Sequence, residues 1–200
     1  MNKGLVCGIG INDADYQISS VVNGKKILCQ FYNRWHGLIE RCYSGRPYRQ
    51  RFYEGCRMSD DWLSFMAFKA WMQEQPWQGN SLDKDILRPW EKLYCPETSV
   101  FIPQWLNALC PEPANRKSDL PLGVSRNPRS KPNPFMARIR GCDGRQFLIG
   151  VFPDPESAHV AWREAKANVL REAVKRYELL DRYDKRICAA LEDRARKLEQ

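Results

Sequence analysis

The tripeptide Cys142-Asp143-Gly144 separates two runs of alternating apolar and polar residues, and no other feature constrains the fold as much. An Asp-Gly step between such runs signals a hairpin. Residues 135–141 and 145–152 form its two strands, and residues 123–127 supply a third strand ahead of them. A two-residue loop places Arg138 and Arg140 on the same face as Phe147, Ile149 and Val151. A three-residue loop, with Gly144 left-handed, shifts the pairing by one and so moves one strand's side chains to the other face. One face then carries Phe135, Ala137, Ile139, Phe147, Ile149 and Val151. The other carries Met136, Arg138, Arg140, Gln146 and Gly150, with Leu148 out of place. The second register separates apolar from polar and is preferred.

A helix follows. Asp154 can cap it, Pro155 suits its first position, and Glu156 complements the positive end of its dipole. Ala158, Ala161, Trp162, Ala165 and Val169 recur at helical spacing, a stripe suited to the apolar side of the sheet. The arginine side is left open.

Charge concentrates in the same region. Residues 114–150 hold eight Lys and Arg against two Asp and Glu; residues 1–113 hold 13 against 12, and residues 151–200 hold 11 against 10. Six of the eight net positive charges therefore lie on the sheet and the segment leading into it. A surplus focused on one small sheet points to a polyanionic partner.

The motifs L-G-V-S, F-M-A-R-I-R, I-G-V-F and E-S-A-H-V-A-W resemble an ethylene-response-factor (apetala-type) DNA-binding domain. That family lays a three-stranded antiparallel sheet in the major groove with its helix packed behind. The resemblance implies that Arg126, Arg138 and Arg140 face double-stranded DNA. Arg129, Lys131 and Arg145 add positive charge beside them.

Ahead of this module, Asn23-Gly24 between apolar runs marks another hairpin. Residues 31–43 read as a helix burying Trp35, Leu38, Ile39 and Cys42. Residues 44–55 read as a loop, and from its leading edge onward Tyr43, Tyr48, Phe52 and Tyr53 interleave with Arg46, Arg49 and Arg51. That loop is either a phosphate-tracking surface or packing on the core. Ser59 is expected to cap a helix over 60–75 with Trp62, Phe65, Met66, Phe68 and Met72 wrapping its circumference. Residues 81–87 and 99–102 read as strands and 104–109 as a short helix.

W-H-G-L-I-E-R-C-Y-S, Y-E-G-C-R-M-S-D-D-W-L-S-F, S-L-D-K-D-I-L and Y-C-P-E-T-S-V-F-I-P resemble phage and prophage proteins of the HNH homing-endonuclease group. Such a site needs a divalent metal on the scissile phosphate and a histidine to activate water. The resemblance implies Asp83, Asp85 and Asn107 as catalytic positions, with Asp83 and Asn107 holding Mg2+ or Mn2+. The histidine is missing: Lys84 stands between the aspartates, and Thr98-Ser99 replaces a common Asn-Cys. His36 and His159 match no motif position. Glu97 could serve as a base, though its spacing does not single it out.

The expected architecture is α+β. An HNH-like domain with a ββα unit spans 1–112, a linker 113–120, a three-stranded antiparallel sheet packed on a helix 121–175, and a long helical tail 176–200. The tail either packs back on the module or pairs with another chain. Eight cysteines without a Cys-x-x-Cys pair, only two histidines and no apolar leader read as reduced thiols of a cytoplasmic protein. No segment is apolar enough to span a membrane. The leading expectation is double-stranded DNA binding, with or without weak metal-dependent cleavage. The alternative is a non-catalytic regulator, or a phage-encoded inhibitor of a host protein. Oligomeric state is not legible.

Overall fold

The computed structural model describes residues 4–110, 118–128 and 131–200. They fall into two units, residues 1–102 and 103–200, and the architecture is mixed α and β.

In the first unit, β1 (Ser19–Val22) and β2 (Lys25–Leu28) form the Asn-Gly hairpin. Asn23 and Gly24 both have positive φ, at 50° and 73°, as a tight turn of this kind requires. α1 (Gln30–Tyr43) buries Tyr32, Trp35, Leu38 and Ile39 on one stripe. Trp35 is fully buried, and its indole Nε1 donates to the Trp62 carbonyl at 2.8 Å, so the ring is packed without an orphaned donor. α2 (Pro47–Tyr53) follows where a loop was expected, with Pro47 at its start.

β3 (Arg57–Met58) comes next, and then the expected 60–75 helix appears in two pieces. A 3-10 turn, Asp60–Leu63, stops at extended Ser64, and α3 (Phe65–Gln73) begins anew. Ser64, rather than Ser59, is the cap: its hydroxyl accepts from the Ala67 N–H at 3.1 Å. Asp13 holds the break in place, accepting from Ser64 Oγ at 2.6 Å and from the Met66 N–H at 2.9 Å. The break lets Trp62 and Phe65 both point into one core, where Trp62, Phe68 and Trp71 stack together.

β4 (Ser81–Asp83) is shorter than the 81–87 strand expected, because Asp83 turns the chain. β5 (Leu93–Tyr94) pairs in parallel with β3, and β6 (Val100–Ile102) pairs antiparallel with β4.

The second unit opens with α4 (Gln104–Leu109), the short helix read from sequence as the end of the first. It is tied within this unit: Lys166 Nζ donates to the Leu109 carbonyl at 2.5 Å, and the Arg176 guanidinium lies 4.2 Å from the Trp105 ring. Most of the expected linker falls outside the described residues. β7 (Val124–Arg126), β8 (Phe135–Arg140) and β9 (Gln146–Phe152) form one antiparallel sheet in that order. α5 (Pro155–Glu178) crosses it, capped by Asp154, which accepts from the Ser157 N–H at 2.7 Å. Val124, Ala137 and Ala158 form the contact centre, flanked by Phe135, Ile149, Phe152 and Trp162.

The tail packs back. α6 (Lys185–Leu198) lays Ile187, Cys188, Leu191 and Ala195 against α5, whose Leu170, Ala173, Val174 and Tyr177 are buried. Arg171 clamps both Glu199 oxygens, at 2.6 and 2.7 Å. None of the eight cysteines forms a disulfide. No described helix is long and apolar enough to cross a membrane.

Candidate nucleic-acid interface

The hairpin has the three-residue loop. Gly141 and Arg145 pair, the Gly144 N–H donates to the Gly141 carbonyl at 3.0 Å, and Gly144 has φ +81°. Arg140 then lies opposite Gln146, Ile139 opposite Phe147 and Arg138 opposite Leu148.

The sequence pattern did not predict what happens next. Ala137 pairs with Gly150, not Ile149, so β9 carries an extra residue between Leu148 and Gly150. This β-bulge shifts every later side chain of β9 to the other face. Gly150 and Phe152 lie on the side of Ala137 and Phe135, toward α5, while Val151 joins Met136 on the open side. Val151 was expected in the apolar layer; it is 42% exposed instead. Phe147 keeps its expected face, but at the edge strand it remains 48% exposed.

The open face therefore consists of Ser125, Met136, Arg138, Arg140, Gln146, Leu148 and Val151. Arg138 and Arg140 are both exposed, and neither has a carboxylate partner among the described residues. Two residues along a strand separates them by about 7 Å, from roughly 3.4 Å of rise per residue. The exposed Leu148 and Val151 beside them add apolar surface to this face. Of this face, Ser125 and Val151 were not legible. Ser125 carries no charge, and Val151 follows the bulge.

Arg126 does not belong to that face. It lies opposite Phe135, on the α5 side, with its guanidinium 5.6 Å from the Phe135 ring and 3.2 Å from Asp119. Two residues from Val124 on the same strand, it shares Val124's side. Arg145 is exposed at the hairpin tip, where its backbone N–H bonds Asp143 at 2.9 Å and its side chain approaches the same carboxylate at 3.7 Å. Lys131 is exposed in the turn between β7 and β8, and Arg129 lies outside the described residues.

The aspartates of the first unit are already committed. Asp83 Oδ1 accepts from the Ile86 N–H at 2.7 Å, closing the turn that ends β4. Asp85 is ion-paired with Lys84, whose side chain is buried and lies 5.6 Å from the Tyr94 ring. Asn107 is on α4, in the other unit. Magnesium takes oxygen ligands in near-octahedral geometry. Here the Asp83 Oδ1 serves a backbone turn and Asp85 is paired with an ammonium. Among the described residues, no group of three or more His, Cys, Asp and Glu side chains converges to hold a metal. Glu97 is exposed, and its carboxyl sits below its ordinary pKa because the Cys95 thiol and its own N–H bond it. The lowered pKa makes it a weaker base.

Compared with known proteins, the chain matches no family model, no curated protein and no solved structure.

Proposed function

We propose that this chain is a non-catalytic double-stranded-DNA-binding protein that reads the duplex with the open face of β7–β9. The observation that carries the reading is the pair Arg138 and Arg140. They project from a face with no carboxylate partner among the described residues, beside Gln146, Leu148 and Val151. A two- or three-stranded ribbon fits a major groove about 12 Å wide. Arginines there can take guanine edges or phosphates, and the apolar side chains can take thymine methyls.

Lys84 argues against a nuclease. Where an HNH-type site needs a neutral base that takes a proton from water, this chain has a buried ammonium engaged by Asp85.

Arg138→Ala with Arg140→Ala is expected to weaken duplex binding tenfold or more in fluorescence anisotropy and to lower the slope of log affinity on log salt by one to two, roughly one per phosphate contact. A folded double variant that binds like the parent rejects the sheet as the reading surface. Supercoiled plasmid incubated with magnesium or manganese should remain supercoiled. Metal-dependent nicking that disappears in Asp83→Ala would restore the nuclease reading.

A further inference from the structure

α1 has a second face. Opposite the stripe that enters the core stand Asn33, Arg34, Gly37 and Arg41, at spacings of three, four and seven residues that share one side of a helix. This side is concave. Leu28, Gln30, Asn33, Arg34, Gly37 and Arg41 line a groove of about 360 Å³ that contains no carboxylate. A second hollow of about 410 Å³ adjoins it at Arg41 and runs past Tyr43, Arg49 and Tyr53.

The cations along this path are held in position. Arg34 donates to the Asn80 carbonyl at 3.2 Å. Arg41 lies 5.9 Å from the Tyr53 ring, with no carboxylate partner among the described residues. Arg49 is shared with Glu40 at 3.1 Å. At 1.5 Å of rise per residue, Arg34 and Arg41 are about 10 Å apart along the axis. Gly37 lies midway, and a Cβ built on it meets nothing within 4 Å. Glycine in mid-helix is destabilising, and this one packs against no neighbour. It leaves an open approach to the helix backbone between two arginines.

We propose that this groove holds the phosphate backbone of duplex DNA, as a second contact surface on the first unit. An ordinary solvated helix face mixes charge of both signs. This one is concave and free of carboxylate along its first hollow, and the side chain is missing midway between its two arginines. Arg34 and Arg41 would neutralise phosphates, while Gln30 and Asn33 offer amide donors to the same strand. The inference rests on the DNA-binding reading for the identity of its ligand, but uses none of the same residues.

The test is duplex anisotropy across a salt series on the full chain. Gly37→Glu places a carboxylate in open space between the arginines and is expected to weaken binding tenfold or more. Gly37→Gln, of equal size and uncharged, should stay within about threefold of the parent, and Arg41→Gln should lower the salt slope by about one. Both Gly37 variants should melt no lower than the parent, since they replace a poor helix former, so loss of binding is not loss of fold. Parental affinity and slope in Gly37→Glu overturn the groove. If Arg138→Ala with Arg140→Ala has lost binding in the same series, the sheet reading then stands alone. Loss in Gly37→Glu with binding intact in the sheet variant keeps the groove and rejects the sheet. A parent that binds no duplex overturns both. Equal loss in Gly37→Gln makes the effect steric and overturns the charge argument. Displacement of the duplex by low inorganic pyrophosphate at matched ionic strength would show a small-anion site and overturn the backbone assignment.

Discussion

Two glycines of the second unit have the same backbone requirement and different surroundings. Gly123 and Gly144 have φ of +77° and +81°. A Cβ at Gly144 meets nothing within 4 Å, whereas one at Gly123 falls 1.9 Å from Trp162 Cδ1. Gly144→Ala therefore costs the left-handed conformation alone, about 1–2 kcal/mol. Gly123→Ala adds overpacking against a large ring, on the order of 1–3 kcal/mol more. Urea denaturation should rank them in that order, and Gly123→Ala with Trp162→Leu should recover part of the loss. Equal effects would mean that the indole moves aside freely. Lys84 is the other informative residue. Its side chain is 7% exposed and its partner Asp85 45%. Replacing a buried charge by an apolar residue of similar shape is often neutral or stabilising, while stranding it is costly. Lys84→Met should lie within about 1 kcal/mol of the parent. Asp85→Asn should lose about 1–3 kcal/mol, below the usual range for a buried pair because Asp85 is partly in water. A large loss in Lys84→Met would show that the ammonium does more than neutralise Asp85. No single-residue pattern announces that Lys84 is buried, which is why the sequence left a metal site open.

At the scale of elements, what was legible depended on whether a local signal fixed the geometry. The hairpin loop was readable because Gly144 supplies the left-handed residue that a three-residue loop needs. The start of α5 was readable because Asp154 and Pro155 cap and open it. The bulge in β9 was not, because Phe147, Ile149 and Val151 form an unbroken apolar alternation. Only packing shows that Phe152 displaces Val151 from the helix side. The break at Ser64 was hidden for a similar reason. Its fixing partner is Asp13, 51 residues away. Arg126 was misplaced because pairing with Phe135, rather than charge, decides its face. The caps also predict an acid response. The Asp154 carboxyl sits below its ordinary pKa, held there by the Ser157 N–H and hydroxyl. Burial pushes the Asp184 carboxyl up, but the Arg186 guanidinium and N–H outweigh it and leave it lowered. Both folded values lie below the ordinary 3.8, so the stability these caps provide is complete above that value and is lost as pH falls through the folded values. Asp154→Asn with Asp184→Asn keeps cap acceptors that do not titrate. Between about pH 5 and pH 2, its urea midpoint should fall less steeply than the parent's. Parallel acid limbs would remove these two caps as the groups responsible.

At the scale of the whole chain, the contacts proposed for the two units differ in kind. The second has the exposed arginine pair on a sheet, suited to base edges. The first has a helix groove suited to phosphates alone, which positions without reading sequence. The second unit also has buried packing of its own. β7–β9 cover one side of α5, α6 covers another, and α4 is tied in through Lys166 and Arg176. A fragment of residues 103–200 is therefore expected to fold alone with one cooperative thermal transition. It should bind duplex DNA in a manner abolished by Arg138→Ala with Arg140→Ala, and discriminate between sequences as the full chain does. Its salt slope should be shallower than the full chain's by about two, the phosphates assigned to Arg34 and Arg41. A fragment that folds and keeps the full slope would place all phosphate contacts on the sheet unit. A fragment that folds but no longer discriminates between sequences would move base reading to the first unit, because the open sheet face is intact in it.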